Sequence, residues 1–309
     1  MPTRRRFLGF LSALGLVGLP AQASTPIPPP HTPQPERWRR DDITVAWIGH
    51  STVLIRFFDT LILTDPVLFN RVGVSIFGLT LGPARLTRPA LQPEAMPTPD
   101  IVLLSHAHMD HMDRRSLEFL TERAPGRIAC LTARNTADVI EDLPWKSLDE
   151  ADWGEHRSLH DISFEALPVR HFGWRLPGEG DRAKGHRAGR SFNAWLLRAH
   201  GRSIVFGGDT AYTDSFAGLA DRGGVDVAIM PIGAYDPWIA VHCTPEEAVR
   251  MAAAMKARCV LPIHTMTFRQ GREAFNEPME RFLAAVNTHP SMAAGITNVG
   301  QTFSVSDLA

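Results

Sequence analysis

Apolar residues gather in short β-rich runs along the first third of the chain. Ile43–Ile48, Thr52–Phe58 and Leu61–Thr64 are parted by Gly-His and Asp-Thr breaks, the pattern of strands joined by tight turns. Ile101–Leu104 is unbroken apolar sequence, which predicts a strand covered on both faces. Further strands are predicted at Ile162–Val169, Phe192–Arg198, Ser203–Phe206, Val225–Met230 and Cys259–Ile263. Helical spacing over Arg114–Glu122 makes Leu117, Phe119 and Leu120 candidate buried positions. Pro245–Lys256 predicts an amphipathic helix, with Thr244 as N-cap, Pro245 at the first position and Glu246 and Glu247 in the first turn. Strands that open in hairpins and later alternate with helices imply an α/β class of stacked sheets with helices outside. Element order alone leaves open whether there is one sheet or two.

The N-terminal region stands apart from this pattern. Thr3-Arg4-Arg5-Arg6-Phe7-Leu8-Gly9 leads into an apolar stretch from Phe10 to Leu19, closed by Ala21-Gln22-Ala23. Residues 1–23 therefore read as a secretory signal, and the Arg-Arg pair before Phe-Leu resembles a twin-arginine signal. The expected location is periplasmic or secreted. Ser24–Pro35 carries six prolines, so residues 24–37 read as an extended linker, and 38–309 as one folded domain. A chain with 44% apolar and 21% charged residues is ordinary globular sequence. Its formal charge of −1 carries no nucleic-acid footprint. The three cysteines, Cys130, Cys243 and Cys259, form no CxxC pair, which argues against a disulfide framework or a thiolate zinc knuckle.

Candidate chemistry lies in the histidines. His106, His108 and His111, with Asp110 between them, form HxHxDH directly after the Ile101–Leu104 run. In an extended segment His106 and His108 point the same way and can face one ion. Where the chain then turns, Asp110 and His111 can serve a neighbouring position. Imidazole nitrogen with carboxylate oxygen suits zinc, and also manganese or iron. His171, Asp209 and His264 each follow a predicted strand, where α/β architectures gather functional groups. Each alone is an ordinary polar terminus; with the cluster they make seven ligand-type residues, the number that two adjacent ions need.

This ordered set resembles the metallo-β-lactamase superfamily. Trp47-Ile48-Gly49-His50-Ser51-Thr52, Ile62-Leu63-Thr64-Asp65-Pro66, Phe206-Gly207-Gly208-Asp209-Thr210 and His242-Cys243-Thr244-Pro245-Glu246-Glu247 are similar to its N-acyl-phosphatidylethanolamine phospholipase D-like branch. The resemblance implies an αββα four-layer sandwich with two metal ions, expected to be zinc, at one edge. It implies that His106, His108 and His171 hold one ion, that Asp110, His111 and His264 hold the other, and that Asp209 bridges them. It also implies catalytic parts for Asp110, Asp209 and His242, the last contacting substrate or protonating a leaving group. Two close ions lower the pKa of a shared water towards neutrality. The expected reaction is hydrolysis of a phosphodiester in a small molecule or lipid, with brief peripheral contact at a membrane. Lactone or ester hydrolysis, and iron-dependent oxidation on the same fold, stay as alternatives.

Some positions depart from that branch. His264-Thr265-Met266-Thr267-Phe268 stands where His-Trp-Gly-Thr-Phe is usual, and Ser191-Phe192-Asn193 where Leu-Trp-Gly is expected. His50 and Asp65 read as groups that orient ligands or backbone. Arg175–Arg190, with five basic residues, is a solvated loop that could meet an anion. Pro66–Leu81 is apolar cover, or a wall for an acyl group.

Overall fold

The computed structural model describes residues 25–76, 79–181 and 189–308; the signal read at residues 1–23 lies outside them. The first half of the domain forms β1 (Ile43–Gly49), β2 (Thr52–Phe57), β3 (Thr60–Thr64), the small hairpin β4 (Val74–Ile76) and β5 (Leu79–Leu81), β6 (Ile101–Leu103), β7 (Ala129–Ala133) and β8 (Ser147–Ala151). The second half forms β9 (His156–Leu159), β10 (Ile162–Leu167), β11 (Ala194–Ala199), β12 (Arg202–Phe206), β13 (Val225–Pro231), β14 (Ala257–Ile263) and β15 (Ala293–Ala294). A last strand, β16 (Thr302–Ser304), returns to the first half.

Two seven-stranded sheets result, ordered β16-β1-β2-β3-β6-β7-β8 and β15-β14-β13-β12-β11-β10-β9. In each, an antiparallel region gives way to a parallel one, at β3–β6 in the first and β12–β13 in the second. The fully apolar runs explain the layering. Every residue of β1 and of β13 is buried, which requires cover on both faces. One large apolar core joins the inner faces, and the Trp195 indole N–H donates across it to the Leu104 carbonyl at 2.9 Å.

Helices complete the αββα sandwich. Asp113 caps α1 (Arg114–Arg123) by accepting from the Ser116 N–H. Thr244 and Glu247 form a reciprocal capping box at α2 (Pro245–Ala254). That helix ends before the predicted Lys256, which sits at φ +55° and closes the turn into β14. A third helix, α3 (Glu277–Val286), packs against α2. The proline-rich stretch lies against the domain and ends in a short 3-10 turn, Pro35–Arg37. Ile27 exchanges backbone hydrogen bonds with Leu86 and Arg88, and Pro33 and Pro35 are buried.

Candidate metal centre

Six strand ends converge on one edge of the sandwich. His50 follows β1, Asp65 follows β3, the segment 105–111 follows β6, His171 follows β10, Asp209 follows β12 and His264 follows β14. His242 joins them from the turn before α2. The chain reverses after His108, whose carbonyl accepts the N–H groups of His111 and Met112. That reversal is why HxHxDH can serve two positions.

The structure brings all seven predicted ligand residues together, with His242 beside them. The ligand atoms of His106, His108, His171 and Asp209 lie within 4.8 Å of one another, and so do those of His50, Asp110, His111 and His264. His106 Nε2 faces His108 Nδ1 at 2.8 Å, and His171 Nε2 faces the same Nδ1 at 3.1 Å. Three imidazole nitrogens aimed at one point cannot all be satisfied by each other's protons. Asp209 lies between the two groups. Its Oδ2 is 3.1 Å from Nε2 of both His111 and His264, and 3.8 and 4.0 Å from Nε2 of His171 and His106. His242 Nε2 is 3.4 Å from the same oxygen.

Buried polar atoms without partners mark the interior of this cluster. His108 Nε2, His264 Nδ1 and Asp209 Oδ1 have no hydrogen-bond partner, and His111 Nε2 and His264 Nε2 face carboxylate oxygens at 3.1 to 3.4 Å without hydrogen-bond alignment. Leaving such groups unpaired costs about 1–3 kcal/mol each, so the donor set is built for cations. Nitrogen and carboxylate oxygen fit zinc, manganese or iron.

Surrounding groups hold the ligands in place. Asp65 accepts from the Ser105 N–H at 2.8 Å, the Ser105 hydroxyl at 2.6 Å and His111 Nδ1 at 2.7 Å. It orients the ring of His111, the role read for it in the sequence. The Val241 carbonyl accepts from His171 Nδ1 at 2.9 Å. His50 also holds a ligand residue, as read: its Nε2 is 3.0 Å from Asp110 Oδ2. Gln270, which the sequence reading passed over, donates to that same Asp110 oxygen at 2.6 Å. Glutamine is not a metal-ligand type, and 160 residues separate the pair, so no local signal marked it.

The backbone is strained at this edge. His50, Asp65 and His264 have φ of +53°, +34° and +61°, and Met266, where the resembling branch carries glycine, has +55°. Residues other than glycine in that region cost of order 1 kcal/mol each and persist where surroundings fix them. Here the His264 N–H donates to the His50 carbonyl, and the His50 N–H to Thr267 Oγ1.

Electrostatics differ across the centre. Burial pushes His106 and His171 well below the ordinary histidine value, and His108 to about 4 and His50 to about 3. Burial acts in the same direction on His111 and His264, but the Asp209 and Asp110 carboxylates outweigh it. His111 rises well above the ordinary value and His264 to about 9. Burial alone would raise Asp110 and Asp209; the facing histidines hold both well below the usual carboxylate range.

The flanking loops are partly committed elsewhere. Arg175 donates to the carbonyls of Ala107 and Met112, behind the ligand turn, and Arg190 pairs with Glu179 and Asp138. Those two arginines of the basic loop brace structure, and Arg182, Lys184 and Arg187 lie outside the described residues. In the apolar stretch Val67, Leu68 and Val72 are buried as cover, whereas Leu81 on the hairpin is 51% exposed.

Known proteins match both the sequence and this architecture. Residues 60–265 match a family described as a beta-lactamase superfamily domain. An uncharacterized protein of Mycobacterium tuberculosis is 33% identical over 272 residues, covering 85% of this chain and 70% of its own length. An N-acyl-phosphatidylethanolamine-hydrolyzing phospholipase D of Caenorhabditis elegans is 28% identical over 251 residues, 76% of this chain and 67% of the relative. Among solved structures, a metallo hydrolase from Ignicoccus hospitalis superposes with a TM-score of 0.60 at 17% identity, covering 85% of this chain and 97% of that one. With two seven-stranded sheets and a histidine–aspartate cluster at their shared edge, the chain belongs to the metallo-β-lactamase superfamily.

Proposed function

We propose that this metal-dependent hydrolase cleaves phosphodiesters, lipid-derived ones included, with two zinc ions. His106, His108 and His171 would hold one ion, and Asp110, His111 and His264 the other. The observation that carries the two-ion reading is the position of Asp209 Oδ2, within 4.0 Å of histidine nitrogens from both groups. Two ions so placed supply a water of lowered pKa and positions that polarise a phosphoryl oxygen. The chain's own residues do the rest. Asp65 fixes the His111 ring, and Gln270 fixes the Asp110 carboxylate. His242, with Nε2 on Asp209 and Nδ1 free of partners, is suited to pass a proton to a leaving oxygen.

The substrate class follows the phospholipase D relatives, whose names describe action on an N-acylated phospholipid. A lipid substrate implies brief contact with a membrane surface, and Leu81 is an exposed apolar group for it. No described helix is long and apolar enough to cross a membrane. The twin-arginine-type start is part of this reading and puts the reaction outside the cytoplasm.

The test combines metal analysis of purified protein with a panel of phosphodiester, lactone and acyl-ester substrates. Two zinc equivalents and phosphodiester turnover are expected. His242→Ala should keep both ions and lose least on substrates with good leaving groups. Turnover confined to lactones or esters would defeat the phosphodiester reading, and one redox-active iron with oxygenation would defeat hydrolysis altogether.

A further inference from the structure

Behind the ligands, the turns after β1 and β14 are tied together at the backbone of His50. Its carbonyl accepts the His264 N–H at 3.1 Å and the Trp47 indole N–H at 2.7 Å. Its own N–H donates to Thr267 Oγ1 at 2.7 Å. Thr267 is fully buried, and the segment around it is fixed in turn. The Thr267 carbonyl accepts the Leu86 N–H at 2.7 Å, and the Met266 carbonyl accepts the Thr87 hydroxyl at 2.6 Å.

The ring of His50 lacks such support of its own. Nε2 lies 3.0 Å from Asp110 Oδ2, and Nδ1 is buried without a hydrogen-bond partner. An ionised carboxylate only accepts, so the ring proton belongs on Nε2 and nothing at Nδ1 aligns the ring. Its orientation must then come from backbone and packing. The backbone stands at φ +53°, which a residue other than glycine keeps only where its surroundings fix it. Outside the ligand set, Phe268 packs edge-on to the His50 ring, with centroids 5.2 Å apart. Phe268 is the chain neighbour of Thr267, so one short segment supplies both restraints.

We infer that Thr267 is a positioning residue for the metal centre: its hydroxyl holds the His50 backbone at the angle from which Nε2 steadies Asp110. The effect belongs to the half formed by Asp110, His111 and His264. Among the described residues, no hydrogen bond links His50 or Thr267 to His106, His108 or His171. This inference rests on the two-ion reading and adds to it a residue outside the ligand set, which acts on the ligands through another side chain.

Zinc titration of the purified protein against a competing chelator reads each metal equivalent apart from turnover. Thr267→Val keeps the shape and removes the oxygen. One zinc equivalent should weaken about tenfold or more, while the other holds. Thr267→Ser, which keeps the hydroxyl, should bind both as the wild type does. His50→Asn, whose side chain tolerates the left-handed backbone, should weaken that same equivalent, and Thr267→Val added to it should cost no further affinity. Thr267→Ala serves the same comparison where Thr267→Val does not fold. Unchanged affinities in Thr267→Val, equal weakening of both equivalents, as large a loss in Thr267→Ser, or an added loss on top of His50→Asn would each overturn the inference. A wild type that binds a single zinc would sink the two-ion reading; Thr267→Val must then weaken that ion, or the inference falls as well.

Discussion

The two halves of the metal centre share Asp209 and differ in charge. His106, His108 and His171 are buried imidazoles whose basicity is depressed, so their nitrogens stand neutral and available at neutral pH. His111 and His264 face Asp110 and Asp209 at 3.1 to 3.4 Å and hold protons instead. A cation entering the first half meets open lone pairs. One entering the second must displace protons. Metal binding that releases protons weakens as pH falls, so the halves should load with different pH dependence although they lie side by side.

The largest effect should come from removing what the halves share. Asp209→Asn keeps the shape and loses the anion, which weakens both sites and should lower kcat by about 100-fold or more. Near-full activity with two equivalents retained would mean that the halves are independent. Next in size, His111→Ala should lose mainly one metal equivalent by elemental analysis, the one in the carboxylate-rich half. Loss of both, or of neither, would break the division drawn here.

A smaller effect separates the halves without mutation. In chelator, His264 rises from an unfolded value near 6.5 to about 9. Its stabilising contribution is therefore full below pH 6.5 and lost as pH climbs through 9. His108 and His50 fall to about 4 and 3, so theirs is full above pH 6.5 and lost as pH drops towards those values. Metal-free protein should melt highest near pH 6.5 and lower at pH 5 and pH 8.5. A melting temperature that only rises across that range would show that the carboxylate-rich half does not hold protons as described.

The metal ligands were legible because each is a chemically distinctive residue at the end of an apolar run. The periphery was harder to read. Edge strands β8 and β9 are short, mostly polar and exposed at alternate positions, so they carry no strong local signal, whereas helix α3, with Asn276 at its N-cap and Pro278 in its first turn, had start signals that the reading passed over. The stretch 25–37 was read as an extended linker; its anchoring by Leu86 and Arg88 is a long-range contact invisible in proline content, and Pro35–Arg37 closes it with a short 3-10 turn. Gln270 shares that difficulty, since its importance comes from the Asp110 carboxylate that the fold sets against it. His50 was read as an orienting group, but its partner, Asp110, lies 60 positions later and could not be named from a histidine after a strand.

The left-handed residues at the metal edge also bear on how this protein can be improved by selection. Glycine relaxes such a conformation, so substitutions at His50, Asp65 and His264 offer relief of local strain to any screen scored on folding alone. Those are the positions where the chain touches its ligands or supplies one. A thermostability campaign on this enzyme would thus drift toward well-folded, inert variants unless activity is scored in every round, a trade between robustness and catalysis written into three backbone angles.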